Sequence, residues 1–502
     1  MSSASSNRWL VLLAVMMAFL PIVLDMTILH VAVPSLTLAL RATGSEVLWI
    51  IDIYPLLMAS LLIPMGTLAD RVGHRRMLVG GLIVFCAGSI MAAFSPNAET
   101  LIGARALMAF GAAMVMPSTL AIVRQTFDDE GERALALGIW GTVGSAGAAI
   151  GPLVGGALLE HYWWGSVFLV NVPVMLVVLP LVIAFSPRRS VLSKGNWTIG
   201  QALILIMGIM ATVYAFKSGF KSGSSTAFTL SSLAIGVFML AWFVRKQLRS
   251  PQPMLDVSLF SVPAISAGVA MALVVMGALA GVELMLAQEL QFVWQRTPLE
   301  AGLFMLPLMI ASAVGGPLAG LILRWIGLRW VASGALLVSA LSLSGLASAD
   351  LQSGGADVVM LLVALGFALS IGLTASSVAI MSSTPEEKAG SAGALEATSY
   401  DLGTGLGISV FGVVLASSYE RSISLPEHLP SPVADTAVRS IGDTMIAAQA
   451  LSAEQAKALI AAGKAAFNAS HSLVLWSAAT LICALALVVC IMLRESRAAN
   501  VG

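Results

Sequence analysis

Apolar residues in this chain neither alternate nor return every third or fourth position. They run unbroken for about 20 residues at a stretch, the length that carries a helix across a bilayer, and short polar turns separate the runs. Hydrocarbon offers no partner to a backbone N–H or C=O, so runs of this length fold as helices that satisfy themselves. The pattern predicts spans near 9–33, 47–66, 77–95, 99–123, 134–159, 166–186, 198–216, 226–244, 264–287, 301–323, 330–349, 357–382, 390–418 and 470–493, fourteen in all. The stretch 419–469 breaks the rhythm. It is Ala-rich with scattered charges and reads as a short amphipathic hairpin shielding one mouth of the molecule.

Composition turns this pattern into a class: 58% of residues are hydrophobic, only 10% are charged, and the mean hydropathy is +0.94. A soluble core has no use for such a balance. With a formal net charge of +0, no nucleic acid is expected among its partners. Cys86, Cys483 and Cys490 all lie in apolar runs and imply neither disulfide nor metal. The first run contains Asp25 and has no small-x-small site before polar sequence, so it reads as a retained helix rather than a secretory signal. With an even number of spans both termini share a face, and most of the 26 Lys and Arg fall on that face, Arg188, Arg189 and Lys194 among them, while Lys217 and Lys221 fall opposite. The positive-inside rule then places both termini in the cytoplasm. Trp9, Trp49, Trp163, Trp164 and Trp197 sit near span ends, as an interfacial belt would.

Three motifs refine the picture. The fifth run holds Gly147-Ala-Ala-Ile-Gly151-Pro152-Leu-Val-Gly155-Gly156; its proline removes one helical hydrogen bond, and its glycines let a neighbouring helix approach closely. A hinge and a plain packing face both fit that composition. Gly66-Thr-Leu-Ala-Asp70-Arg71-Val-Gly73-His-Arg75-Arg76 follows the second run, and Arg105 stands inside the fourth. Together these resemble the major facilitator superfamily: the second motif its loop between helices two and three, the first the fifth-helix motif of its drug:proton antiporters. The resemblance implies an all-α membrane protein with two six-helix halves, 1–186 and 263–502, the second including the loop 419–469. A linker, 187–262, carries two extra helices expected at the periphery. Gly320, Arg324, Gly327 and Arg329 echo Gly66, Asp70, Gly73 and Arg75, as internal repeats would, with a cavity near the midplane between the halves. In this scheme Asp70 latches the halves in the outward-facing state by pairing with arginines of its own face, while Arg75 and Arg76 fit simple orientation by positive charge equally well.

Ionisable groups inside lipid are costly, and each one is a functional candidate. Asp25 reads either as a proton carrier or as one half of a fixed pair with Arg105, which cannot be expected to deprotonate. Asp52 either attracts cations at the entrance or sits among headgroups. Glu283 follows a run of small residues and reads as more buried than Glu289; it suits a flat aromatic cation or an interhelical hydrogen bond. Glu396 and Asp401 are five residues apart on one helix and face different directions, whereas Tyr400 shares the face of Glu396. Of Glu396 and Asp401, one suits substrate and the other structure; with the resemblance to fourteen-span drug exporters, Asp25, Arg105 and Asp401 are expected in proton coupling, and Asp52, Glu283, Glu396 and Tyr400 at the substrate. His30 and His471 lie near run ends and show no metal spacing.

Further runs, Trp49-Ile-Ile-Asp52-Ile-Tyr54, Trp164-Gly-Ser-Val-Phe168-Leu-Val-Asn171-Val-Pro173, Pro253-Met-Leu-Asp256-Val-Ser-Leu-Phe260 and Glu283-Leu-Met-Leu-Ala-Gln-Glu289-Leu-Gln-Phe292, are similar to the fourteen-helix exporters of methyl viologen and quaternary ammonium antiseptics. Some relatives carry an acid in the tenth helix, where this chain has Pro307-Leu-Met-Ile-Ala-Ser312. The resemblance implies export of lipophilic mono- and dications (viologens, biguanides, dyes) in exchange for protons, with the bilayer as surroundings, no cofactor, no metal and a monomeric state. A nutrient symporter of the same fold would leave the Gly151-Pro152 motif unexplained, and a non-transporting sensor would show no proton flux. No His-Glu-x-x-His, Cys/His constellation or Gly-x-Ser-x-Gly elbow points to an enzyme.

Overall fold

A computed structural model describes residues 2–127, 129–187, 199–219, 225–250, 253–385, 388–427 and 429–499. Arg188, Arg189, Lys194, Trp197 and Lys221 lie outside them. The helices, in chain order, are α1 (Ser2–Leu40), α2 (Gly44–Val72), α3 (His74–Ala93), α4 (Ala98–Thr126), α5 (Glu130–His161), α6 (Ser166–Leu169), α7 (Asn171–Phe185), α8 (Ile199–Gly219), α9 (Thr226–Arg249), α10 (Pro263–Gln288), α11 (Pro298–Ile326), α12 (Leu328–Ser348), α13 (Ala356–Ser382), α14 (Ala389–Ser422), α15 (Ser431–Ala437), α16 (Ile441–Ala448) and α17 (Ala453–Ala499). Each of the fourteen expected spans falls on a helix long and apolar enough to cross a membrane, the sixth on α6 and α7 together. The last helix begins well before the expected 470, because the Ala-rich segment after Ser452 has the propensity to prolong it.

One apolar core gathers α1 to α7, and a second gathers α10 to α14 with α17. The internal repeat is visible in backbone detail. Thr43 caps α2 in a reciprocal box with Glu46, and Thr297 caps α11 in the same box with Glu300. Each of those helices ends on a glycine of positive φ, Gly73 at 102° and Gly327 at 88°, before the next helix starts at once. Only glycine takes such angles without strain, which explains why the motif and its echo keep this residue in register.

Helix direction places both described ends on one face of the bundle, the termini face. The opposite, hairpin face carries the predicted hairpin, formed by α15 and α16. A small apolar core of Ala437, Ala447, Ala448 and Leu459 holds it together. Tyr419 Oη donates to Thr444 Oγ1 at 2.6 Å, since the Thr444 hydroxyl itself donates to the Ala437 carbonyl. Asp443 accepts from Ser440 Oγ at 2.7 Å and from the Gly44 amide at 3.2 Å, pinning the hairpin to the start of α2. Burial pushes the Asp443 carboxyl above its ordinary range. Beneath the hairpin lies a cavity of about 630 Å³, lined from both halves by Thr37, Phe292, Gly412 and Tyr419.

The halves close on each other toward the hairpin face. A Cβ on Gly156 would sit 2.6 Å from Leu299 Cα, and one on Gly302 would sit 2.9 Å from the Pro152 carbonyl oxygen, so α5 and α11 touch backbone to backbone. Gly412 likewise meets Leu48 where α14 crosses α2.

Candidate transport site

Asp25, in the middle of α1, forms an ion pair with Arg105 Nη1 of α4, and both side chains are almost wholly buried. Arg105 also donates through Nε to the Ile50 carbonyl at 3.3 Å and lies over the ring of Tyr54 at 4.4 Å and of Phe168 at 5.8 Å. Two rings and a carbonyl thus hold the guanidinium whatever the charge on Asp25. Asn171, beside Asp25, donates to Ser89 Oγ at 3.2 Å and orders the wall. Tyr54 is wholly buried, its hydroxyl has no protein partner among the described residues, and its ring carries the Arg105 guanidinium that pairs with Asp25. Tyr54 was present in the sequence run but had no role there; an aromatic hydroxyl two residues after Asp52 on an apolar helix is the signal that marks it.

Asp52 lies deeper than an entrance or headgroup position: its side chain is wholly buried two turns inside α2 and is paired in this structure. Lys217 Nζ of α8 approaches Asp52 Oδ2 to 2.6 Å, and Ser409 Oγ of α14 donates to the same oxygen at 2.6 Å. The linker helices are therefore more than a peripheral spacer, since α8 reaches in to touch both halves. Trp49, expected only in the interfacial belt, lies with its ring 4.1 Å from the Lys217 ammonium. Lys217 ends an apolar run, where a long stem carries its charge back to a partner inside.

The reading of Glu283 and Glu289 is corrected. Glu289, at 2% exposure, is more buried than Glu283, at 8%. Each carboxylate has found a histidine: His30 Nδ1 of α1 donates to Glu283 Oε2 at 3.1 Å across the halves, and His471 Nδ1 of α17 lies 3.3 Å from Glu289 Oε1. Both histidines sit inside helices longer than their apolar runs, not near the ends. Gln291 Nε2 donates to the Val31 carbonyl at 2.9 Å and ties the same two helices.

On α14, Tyr400 Oη donates to Glu396 Oε1 at 2.8 Å, so the pair does share a face. Asp401 turns the other way and is buried at 4% exposure, and its Oδ2 has no protein partner among the described residues.

The conformational motifs separate into two kinds. Gly147, Gly151 and Gly155 form a packing face against α1: a Cβ on Gly151 would overlap Thr27 Oγ1, and one on Gly155 would lie 2.6 Å from Ile28 Cγ1. Gly156 and Pro152 face α11 instead, so one motif joins the Asp25 helix to the other half, and α5 continues unbroken through the proline. In the second motif, Gly66 packs on Pro117 and Arg71 is exposed. The structure is closed at the hairpin face rather than in the outward-facing state for which the latch is expected, and among the described residues Asp70 pairs with no arginine. Asp70 Oδ1 lies 3.4 Å from His74 Nε2 of the adjoining turn, and Arg75 Nη2 donates to the Ile183 carbonyl at 2.7 Å. Closure at the hairpin face leaves Asp70 pairing within its own half. Beyond the membrane helices, Lys388 Nζ meets Asp256 Oδ2 at 2.7 Å and holds that carboxyl below its ordinary range, tethering the linker to the start of α14. Among the described residues, no group of three or more His, Cys, Asp and Glu side chains is arranged to hold a metal.

Two pseudo-repeated helical halves enclosing paired and unpaired carboxylates define a membrane transporter, and the chain belongs to the Major Facilitator Superfamily, whose family model matches residues 15–408. Its relatives are more particular. It is 45% identical over 480 residues to the methyl viologen resistance protein SmvA of Salmonella typhimurium, covering 96% of this chain and 97% of that one. It is 35% identical over 499 residues to the multidrug efflux pump LfrA of Mycolicibacterium smegmatis, covering 98% and 97%. Among solved structures, an inward-facing bacterial homologue of the human lysosomal transporter Spinster matches with a TM-score of 0.69 at 17% identity over 98% of both chains, a likeness of fold.

Proposed function

We propose that this protein is a drug-efflux antiporter that expels lipophilic mono- and dications from the bacterial cytoplasm in exchange for protons, with both termini cytoplasmic and the hairpin face outside. The observation that carries the reading is that buried carboxylates are held across the two halves: His30 of one lies 3.1 Å from Glu283 of the other, and Ser409 of the second donates to Asp52 of the first at 2.6 Å. Carboxylates of both halves thus lie at the membrane-embedded seam between them, where alternation of the halves changes what each of them faces.

A buried carboxylate is neutralised by a proton or by a cation, and cannot hold both. A proton on Asp25 releases Arg105 to its ring faces and the Ile50 carbonyl; loss of that proton restores the pair. Asp401, Glu283 and the Glu396–Tyr400 pair are further carboxyl groups that a lipophilic cation can meet inside the membrane. Expelling one positive charge against an inside-negative potential costs about 2.3 kcal/mol per 100 mV, so at least one inward proton must offset each. The names of the relatives SmvA and LfrA support a viologen-like and multidrug range.

Inverted vesicles containing the protein, acidified inside, test this. Chlorhexidine and methyl viologen should release internal protons, a sugar should not, and Asp25→Asn should abolish the response. Proton entry on adding the sugar, with no response to either cation, would turn the assignment toward symport.

A further inference from the structure

Resting on that reading, we propose that Asp52, Trp49, the Leu48 carbonyl and Ser409 form an exit subsite for organic cations, and that Lys217 is the built-in ammonium that takes the place of each cation as it leaves. The geometry is that of a cation cage. The Lys217 ammonium has a carboxylate oxygen at 2.6 Å, an aromatic face at 4.1 Å and a backbone carbonyl, Leu48 O, at 3.2 Å. Ser409 Oγ, from the other half, steadies the carboxylate at 2.6 Å. Carboxylate, π face and carbonyl are the groups that recognise a flat or alkylated ammonium as well as a lysine.

Charge balance explains why an exporter places a lysine there. Asp52 is wholly buried, so a cation that departs from it strands an unpaired charge, and release is slow unless another positive group follows it in. Lys217 is placed to follow. It ends α8 at the hairpin face, its stem is long and flexible, and it lines the 630 Å³ cavity under the hairpin through which a released cation passes. With the halves closed at this face, the cage holds the lysine. Opening separates α14 from α2, withdraws Ser409, and lets a substrate cation compete for Asp52. Reclosure with Lys217 in place then bars its return.

The test uses the full-length protein in liposomes and follows exchange of labelled methyl viologen at equal pH on both sides, so that an added amine dissipates no gradient. Lys217→Ala removes the ammonium but keeps Cβ, and n-propylammonium replaces the missing atoms. Turnover should fall about tenfold without a rise in KM, as expected when release and not binding is lost. Propylammonium should restore it saturably, Lys217→Arg should keep it, and Lys217→Ala/Asp52→Asn should show no rescue. Lys217→Gln, which keeps most of the stem, is measured alongside in case the alanine variant does not fold. Undiminished turnover in these variants, or a loss that propylammonium leaves untouched, overturns the proposal and leaves Lys217 a static tie. Wild-type protein that exchanges no viologen overturns the export reading itself, and this proposal with it.

Discussion

Removing Asp25 should harm the fold more than removing Arg105, although the two form one pair. In Asp25→Asn the guanidinium stays charged, because arginine does not give up its proton in a protein. Breaking one side of a buried pair costs about 3–5 kcal/mol. Here Arg105 keeps the Ile50 carbonyl and the Tyr54 and Phe168 rings, which puts the expected loss at the lower end, about 3 kcal/mol. In Arg105→Met the stranded group is a carboxylic acid, which escapes by taking up a proton, so the loss is smaller, about 1–2 kcal/mol. The double variant Asp25→Asn/Arg105→Met, with no buried charge left, should be more stable than Asp25→Asn alone. Thermal unfolding of the four proteins in one detergent closes the cycle. A coupling of about 2 kcal/mol is expected, well above the roughly 0.6 kcal/mol typical of an interhelical hydrogen bond in a membrane. Losses that simply add, or an Arg105→Met variant less stable than Asp25→Asn, would refute the reasoning.

Other consequences follow from single contacts. Gly156→Leu forces a side chain into the Leu299 backbone and should cost the state closed at the hairpin face about 1–3 kcal/mol; spectroscopic distances between α5 and α11 should lengthen and transport should fail while the melting temperature holds. Tyr400→Phe removes the hydrogen bond to Glu396 and should raise KM for cations about tenfold with little change in turnover, read by dye-efflux kinetics. Burial raises the Asp443 carboxyl, so the docked hairpin binds more protons than the undocked one just above the ordinary value of 3.8. Docking should therefore tighten as pH falls through the raised value and loosen as pH rises, and Asp443→Asn should remove that dependence; hydrogen exchange at Gly44, corrected for its intrinsic rate, reports it.

The spans, the repeat and the Asp25–Arg105 pair were legible in the sequence for a common reason: each is written locally, in the length of an apolar run, in Gly73 and Gly327 at matching turns, or in an ionisable residue that lipid would not tolerate unpaired. What stayed hidden was the identity of distant partners. Lipid makes Asp52, Glu283 and Glu289 costly, yet nothing in their own helices says that Lys217, His30 and His471 will answer them, because those pairings depend on how separate helices cross. Lys217 and the histidines stood near the ends of apolar runs, and the helices proved longer than the runs. The latch expected of Asp70 belongs to the state closed at the termini face; here the halves meet at the other end, and Asp70 lies beside His74 instead.

The central claim is exchange of a proton for a cation at this shared site, and purified protein in liposomes tests it most directly. With a pH gradient as the only energy source, methyl viologen should accumulate against its own gradient, and a viologen gradient alone should drive protons the opposite way, both lost in Asp25→Asn. Viologen that only equilibrates, with no proton movement in either direction, would contradict the account.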